Sequence, residues 1–257
     1  MKIIKIPVLD VGISQIKINQ VPDYINYSFE NNNFGYVTVT GAHGLIESYK
    51  SKKVKIAHQK SLLSVPDGMP LVWVSKMKGS KNISRCFGPF MMDLILKNNE
   101  LSQKKHFLYG GNDGVAQELK RHIEEKYNAN VVGTYTPPFR PLNKKELNDL
   151  IDQINNSEAD IVWVGLSTPK QDLFMHDTFD KINVKFMFGV GAAFDYFIGS
   201  IQYAPKIVQN LGLEWAYRLF LEPRRLYKRY FEIVPKFILL NLKELLYYMG
   251  KIMFRRN

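Results

Sequence analysis

A single cysteine, Cys86, stands among 257 residues, which excludes an intramolecular disulfide and any multi-cysteine metal site and fits a reducing compartment. No stretch reaches the roughly 20 apolar residues that a membrane-spanning helix needs. The best candidate, Phe237–Leu242, is cut short by Lys243 and Glu244. The N-terminal run MKIIKIPVLDVGISQIKI has neither the long apolar centre nor the small-residue cleavage site of an export signal, and reads as a β-strand. There is no D-x-D pair of the kind that holds a divalent cation on a sugar nucleotide. The nearest match, Glu158-Ala159-Asp160, precedes its strand and so falls at the wrong end of a sheet. No histidine pair has metal-ligand spacing on a plausible helix. Acidic side chains are scarce: 24 Asp and Glu face 35 Lys and Arg, for a net charge of +11, so the expected partner is anionic. Nucleic acid is the poorest of the anionic partners, because the basic C-terminal stretch is apolar between its charges and no nucleic-acid module is present.

With 46% hydrophobic and 23% charged residues, the chain has the composition of a folded globular protein. From residue 34 onward short β-rich runs alternate with helical stretches. The runs are FGYVTVTG, LLSVPDG, KHFLYGG, NVVGTYT, DIVWVGLS and KFMFGVG. That rhythm predicts a mostly parallel, Rossmann-like α/β sheet with helices on both faces. Residues 1–200 contain no Gly/Ser linker and read as one α/β core. Residues 201–257 change character to helical, aromatic and basic, with Pro223 and Pro235 as expected breaks. Nine Lys or Arg against two acids follow Pro223, so this appendage holds most of the net charge. In its last helix Asn241, Glu244 and Lys251 are expected to share a polar face, with Phe237, Leu240, Leu242, Leu245, Leu246, Met249, Ile252 and Met253 covering much of the rest. A basic helix of this kind suits a bilayer interface. The alternative is a helix packed on the core with a solvated rim.

Ligands of such sheets bind beyond the carboxyl ends of the strands, so the residues there carry most weight. Asp67, after LLSVP, is the candidate general base, read as an exposed carboxylate ionised at pH 7 from a reference pKa of about 3.9. Gly110 and Gly111 allow backbone N–H groups to approach a phosphate at a helix start, where Asn112 or Asp113 is the expected cap. Pro169, Lys170 and Gln171 follow the fifth run, and Gly189, Gly191 and Asp195 the sixth. GVGAAFD has Phe194 where a dinucleotide fingerprint needs its third glycine, so a nicotinamide enzyme is set aside. Without a metal, a departing diphosphate needs positive side chains, and Arg218, Arg224, Arg225 and Arg229 are available.

Six ordered blocks, PDGMPLVWVSK, ISRCFGP, FLYGGNDGVAQ, IVWVGLSTPKQD, GVGAAFDYFIGS and APKIVQNLGLEWAYRLFLEPRRLYKRY, resemble the WecG/TagA/CpsF glycosyltransferases, glycosyltransferase family 26. The resemblance implies transfer of N-acetylmannosamine or a related hexose from a UDP-sugar to a polyprenyl-diphosphate-linked sugar, with inversion and without a metal or other cofactor. It implies an enzyme at the inner face of a bacterial plasma membrane; the basic, apolar-faced tail predicts contact with anionic lipid, and as an exposed tail on a soluble domain it is open to self-association. It makes Asp67 the base, and Gly110, Gly111, Pro169, Lys170, Gln171, Gly189 and Gly191 the lining of the donor pocket. Arg218, Arg224 and Arg225 become the basic groups that face the diphosphates. The family's Thr-x-Asn appears here as VTVTGAHG, which leaves either Thr38 or Thr40 as the site threonine. Phe90 and Asp172 replace a common Asp and Glu. A catalytically silent sugar-nucleotide or membrane-binding subunit of a polysaccharide assembly complex is the competing reading.

Overall fold

The computed structural model describes residues 2–254, and side chains through residue 248. Eight strands form in chain order: β1 (Lys5–Val8), β2 (Val11–Ser14), β3 (Gly35–Thr40), β4 (Leu63–Pro66), β5 (Lys105–Gly110), β6 (Asn130–Tyr135), β7 (Ile161–Gly165) and β8 (Phe186–Gly189). The helices are α1 (Val21–Glu30), α2 (Ala42–Lys50), α3 (Lys52–Lys60), α4 (Met69–Met77), α5 (Gly88–Lys97), α6 (Asn99–Ser102), α7 (Val115–Tyr127), α8 (Lys144–Asn156), α9 (Lys170–Thr178), α10 (Ala193–Phe197), α11 (Lys206–Asn210), α12 (Glu214–Leu221) and α13 (Pro223–Phe254). β3 to β8 make one six-stranded parallel sheet in the order β4-β3-β8-β7-β5-β6, and each expected run supplies one of its strands. The N-terminal segment forms two strands rather than one, an antiparallel hairpin separate from the main sheet.

Parallel strands are joined by crossover helices and so are buried on both faces. Alternation along each strand divides the core in two. Trp163, Phe186 and Phe188 face Tyr24 and Ile25 of α1, Met91 and Ile95 of α5, Leu119 of α7 and Phe194 of α10. Val162, Val164 and Met187 face Leu150 and Ile154 of α8 and Met175 of α9. The buried Trp163 indole donates to His106 Nδ1 at 3.0 Å, and His106 Nε2 lies 3.0 Å from the Leu101 carbonyl. Burial pushes this histidine down to about 4, so it sits neutral between its two partners.

A third cluster joins Val8, Val11 and Ile13 of the hairpin to Leu45 and Ile46 of α2, Leu71 and Val72 of α4, and Ile233 and Phe237 of α13. The long C-terminal helix therefore lies against the core along one face. It runs through Pro235, where a break was expected. Its polar stripe also points the other way from the expectation. Asn241 is buried, and Glu244 accepts the Leu9 N–H at 3.1 Å and pairs with Lys78 at 2.7 Å. Ile238, Leu239, Leu242 and Leu246 are left facing outward, each more than half exposed.

Candidate active site

The register pairs Thr40 with Pro66, Thr38 with Gly189 and Gly110 with Gly165, so the carboxyl ends of five strands form one rim. Asp67 leaves that rim directly after β4, its N–H donating to the Thr40 carbonyl at 2.8 Å. Gly68, at φ +91°, turns the chain into α4. Cys86 N–H donates to the Pro66 carbonyl at 2.7 Å and draws the Arg85–Phe87 segment alongside. Arg85, only 11% exposed, pairs with Glu214 at 2.5 Å, donates to Gln209 Oε1 at 3.2 Å and lies 4.4 Å over the Phe87 ring. Asp67 is hemmed in by these groups. Its carboxyl is pushed up to about 6 by burial, with Arg85 lowering it, Glu214 raising it and Arg218 lowering it. The reading of an exposed, ordinary carboxylate is thus corrected: Asp67 is partly buried and holds its proton more tightly than a solvated aspartate. Cys86, buried beside it, has its thiol pushed up to about 12 by burial and by the Asp67 charge.

The appendage supplies the rest of the cluster. Arg218 of α12 and Arg225 of α13 share Glu222, at 3.8 Å and 2.5 Å. Asp195 of α10 is raised by burial and lowered by Arg225 and Arg218. Arg224 is exposed on the first turn of α13, and Arg229 is partly buried further along it with its guanidinium 5.3 Å from the Tyr230 ring. Arg85 had not been singled out from the sequence, although it stands in the block Ile-Ser-Arg-Cys-Phe-Gly-Pro.

The profile of the glycosyl transferase WecG/TagA/CpsF family matches residues 6–250. The chain belongs to that family. The match runs from the hairpin through nearly all of α13, so core and appendage are both part of the glycosyltransferase.

The glycine turns of this glycosyltransferase lie on the rim. Gly110, at φ +130°, passes so near β7 that a Cβ there would stand 2.5 Å from the Gly165 carbonyl oxygen. The Gly111 N–H is already donated to that oxygen at 3.2 Å. Asn112 is exposed, and the N-cap of α7 is Gly114 rather than Asn112 or Asp113. Pro169 caps α9 and Lys170 is exposed beside it, whereas Gln171 is 2% exposed and turned inward. Its Oε1 accepts the Gly191 N–H at 3.0 Å, and a Cβ at Gly189 would stand 3.0 Å from its Nε2. Gln171 therefore holds the Gly189–Gly191 turn in place from beneath.

Thr38 and Thr40 are both fully buried. Thr40 Oγ1 lies 3.1 Å from His58 Nδ1, 2.8 Å from Ser64 Oγ and 3.2 Å from Thr38 Oγ1. Their hydroxyls thus engage partners inside the fold, and Thr40 reaches the rim through its carbonyl, the acceptor for Asp67 N–H. His58 Nε2 stands 3.8 Å from Asp172 Oδ2, and both side chains are inaccessible. Burial pushes His58 down to about 4 and Asp172 up to about 7, the latter opposed by the neighbouring Thr168 side chain. The two groups meet as a neutral imidazole and a carboxyl that favours its proton. A surface hollow lined by Val132, Gly133, Asp149 and Gln153 lies at the β6 edge, between β6 and α8, and contains none of the rim residues. Among the described residues no group of three or more His, Cys, Asp or Glu is arranged to hold a metal ion.

Proposed function

We propose that this glycosyltransferase moves a hexose or N-acetylhexosamine of the N-acetylmannosamine type from a UDP-sugar to a sugar carried on a polyprenyl diphosphate, in bacterial surface polysaccharide synthesis. The observation that carries the reading is Asp67, on the strand-end rim, with its pKa raised to about 6 and the charges of Arg85 and Arg218 felt at its carboxyl. A carboxylate with that pKa is mostly ionised at neutral pH yet basic enough to accept a proton, which is what a general base needs.

In a single displacement, Asp67 takes the proton of the acceptor hydroxyl and that oxygen bonds to the anomeric carbon. The bond from that carbon to the UDP oxygen breaks, and its electron pair leaves with UDP, inverting the centre. Arg85 and Arg218 meet the growing phosphate charge, with Arg225 and Arg224 extending the positive surface. Glu214 and Glu222 hold three of these guanidiniums in the ligand-free chain, so an entering diphosphate exchanges one anionic partner for another. The donor is a substrate and no further cofactor enters the scheme.

Among the described residues no helix is long and apolar enough to cross a membrane. The outward apolar face of α13 supports peripheral attachment to the inner face of the plasma membrane, where the acceptor lipid resides. The direct test is UDP release from a panel of UDP-sugars, with and without a polyprenyl-diphosphate-sugar mimic. Release that depends on both one donor and the acceptor, and falls roughly 10²–10⁴-fold in Asp67→Asn, is expected. Acceptor-dependent release unchanged in that variant removes Asp67 from the mechanism.

A further inference from the structure

α4 begins two residues after Asp67 and carries an outward face that nothing in the mechanism uses. Leu71, Val72 and Val74 are buried in the third core cluster, which leaves Met69, Trp73 and Met77 aligned one turn apart on the opposite side. Trp73 is 43% exposed and Met77 60% exposed. Over eight residues this stripe runs about 12 Å away from the catalytic carboxylate.

The neighbouring turn gives the stripe a wall. Gly212, at φ +67°, sits so close that a Cβ there would meet the Trp73 ring at 2.9 Å and Met69 Cβ at 3.2 Å. Leu211 and Leu213 flank it, at 57% and 43% exposure. Leu213 directly precedes Glu214, the partner of Arg85. The stripe thus has a cationic, phosphate-compatible head beside Asp67 and an apolar body leading away from it. At its far end Tyr248 of α13 lies 3.3 Å from the Lys78 carbonyl, so the stripe leads toward the helix whose outer face is apolar.

We propose that the Met69–Trp73–Met77 face of α4, with Leu211 and Leu213 beside it, seats the first segment of the hydrocarbon tail of the phosphorylated lipid acceptor. The proposal rests on the lipid-linked acceptor read above. A tail laid along α4 brings its phosphate head to the edge of the guanidinium cluster of Arg85, Arg218 and Arg225, which the donor diphosphate shares, and the sugar beyond the head to Asp67. It also gives the chain a way to recognise its acceptor that free sugars and soluble diphosphates do not satisfy.

The test compares geranylgeranyl diphosphate, below its aggregation limit, with inorganic pyrophosphate by calorimetry, and follows acrylamide quenching of tryptophan emission. Trp163 is fully buried and Trp215 is only partly exposed, so Trp73 contributes most to the quenchable signal. The prenyl compound is expected to bind at least about tenfold more tightly than pyrophosphate, since each buried methylene adds to the affinity. It is also expected to shield Trp73. In Met77→Asp and Trp73→Ser, with unchanged circular dichroism, that advantage should fall to about twofold or less while pyrophosphate binding stays as it was. Equal affinity for the two probes, or an advantage that survives both substitutions, overturns the proposal. So does shielding of Trp73 by anionic vesicles but not by geranylgeranyl diphosphate, which would make this face a bilayer contact. If the tail advantage appears and no UDP-sugar is turned over, the transferase reading fails alone. Acceptor-dependent turnover without the advantage removes only the tail seat.

Discussion

Two carboxyl groups have raised pKa values, the partly buried Asp67 and the inaccessible Asp172, and their surroundings differ. Asp67 has charged neighbours of both signs, and its pKa of about 6 puts the acidic limb of kcat/KM near that pH. Because its folded pKa exceeds the unfolded value, the penalty for burying its charge is absent at low pH and fully present above about 6. Asp67→Asn should therefore be at least as stable as the wild type at pH 7.5 while losing turnover, a combination that thermal unfolding and UDP release can establish together. Asp172 has no cationic neighbour to offset its burial. Its folded pKa of about 7 lies above the unfolded value near 3.8, so the stability it contributes is lost as pH rises from about 4 to about 7 and is gone above that, while Asp67 titrates lower, at about 6. The unfolding free energy of the wild type minus that of Asp172→Asn, from urea titrations between about pH 5 and pH 8, should fall up to about pH 7 and level off above it. A difference that stays level throughout would assign the pH dependence to another group.

At the scale of elements, α13 separates what the sequence makes legible from what only packing decides. The apolar content of this helix is plain in the chain, and so are the six strands, because continuous Val, Ile and Phe runs bounded by Gly, Pro and Asp have few other uses. The direction of its faces is not legible. Glu244 reads as solvated until the fold brings Lys78 and the Leu9 N–H to it, 166 and 235 positions away in the chain. The same distance hides Arg85, whose partner Glu214 belongs to another block, and it hides the burial of Thr38 and Thr40 beneath α3. One consequence is that removing α13 outright would take Ile233 and Phe237 out of the third core cluster, uncover Val11, Leu45 and Leu71, and confound attachment with folding. The informative change is on the outer face alone. Leu239→Glu with Leu242→Glu should cut vesicle binding at least tenfold and leave the unfolding midpoint within a few degrees, since surface substitutions usually cost under about 0.5 kcal/mol each. Phe237→Ala, by contrast, should cost about 3–5 kcal/mol by opening a core cavity.

Across the whole molecule the site exists only because two parts of the chain meet. Asp67 and Arg85 come from the sheet and its loops, while Glu214 and Arg218 come from the first and second turns of α12, over 120 residues later. Those two α12 side chains act on Asp67 with opposite sign, Glu214 raising its pKa and Arg218 lowering it. Replacing each with glutamine keeps the shape of the helix and removes one charge. Glu214→Gln should move the acidic limb of the pH–rate profile below 6, because the carboxylate then loses a repelling neighbour. Arg218→Gln should move it above 6 and also lower kcat by about 10²–10³-fold, since a donor aimed at the leaving group is lost. Opposite displacements from two residues one turn apart would tie the titrating base to Asp67 and to the docked appendage at once. If both variants keep the wild-type limb, α12 does not approach the base during turnover, and the electrostatic link between core and appendage is broken at the step that matters.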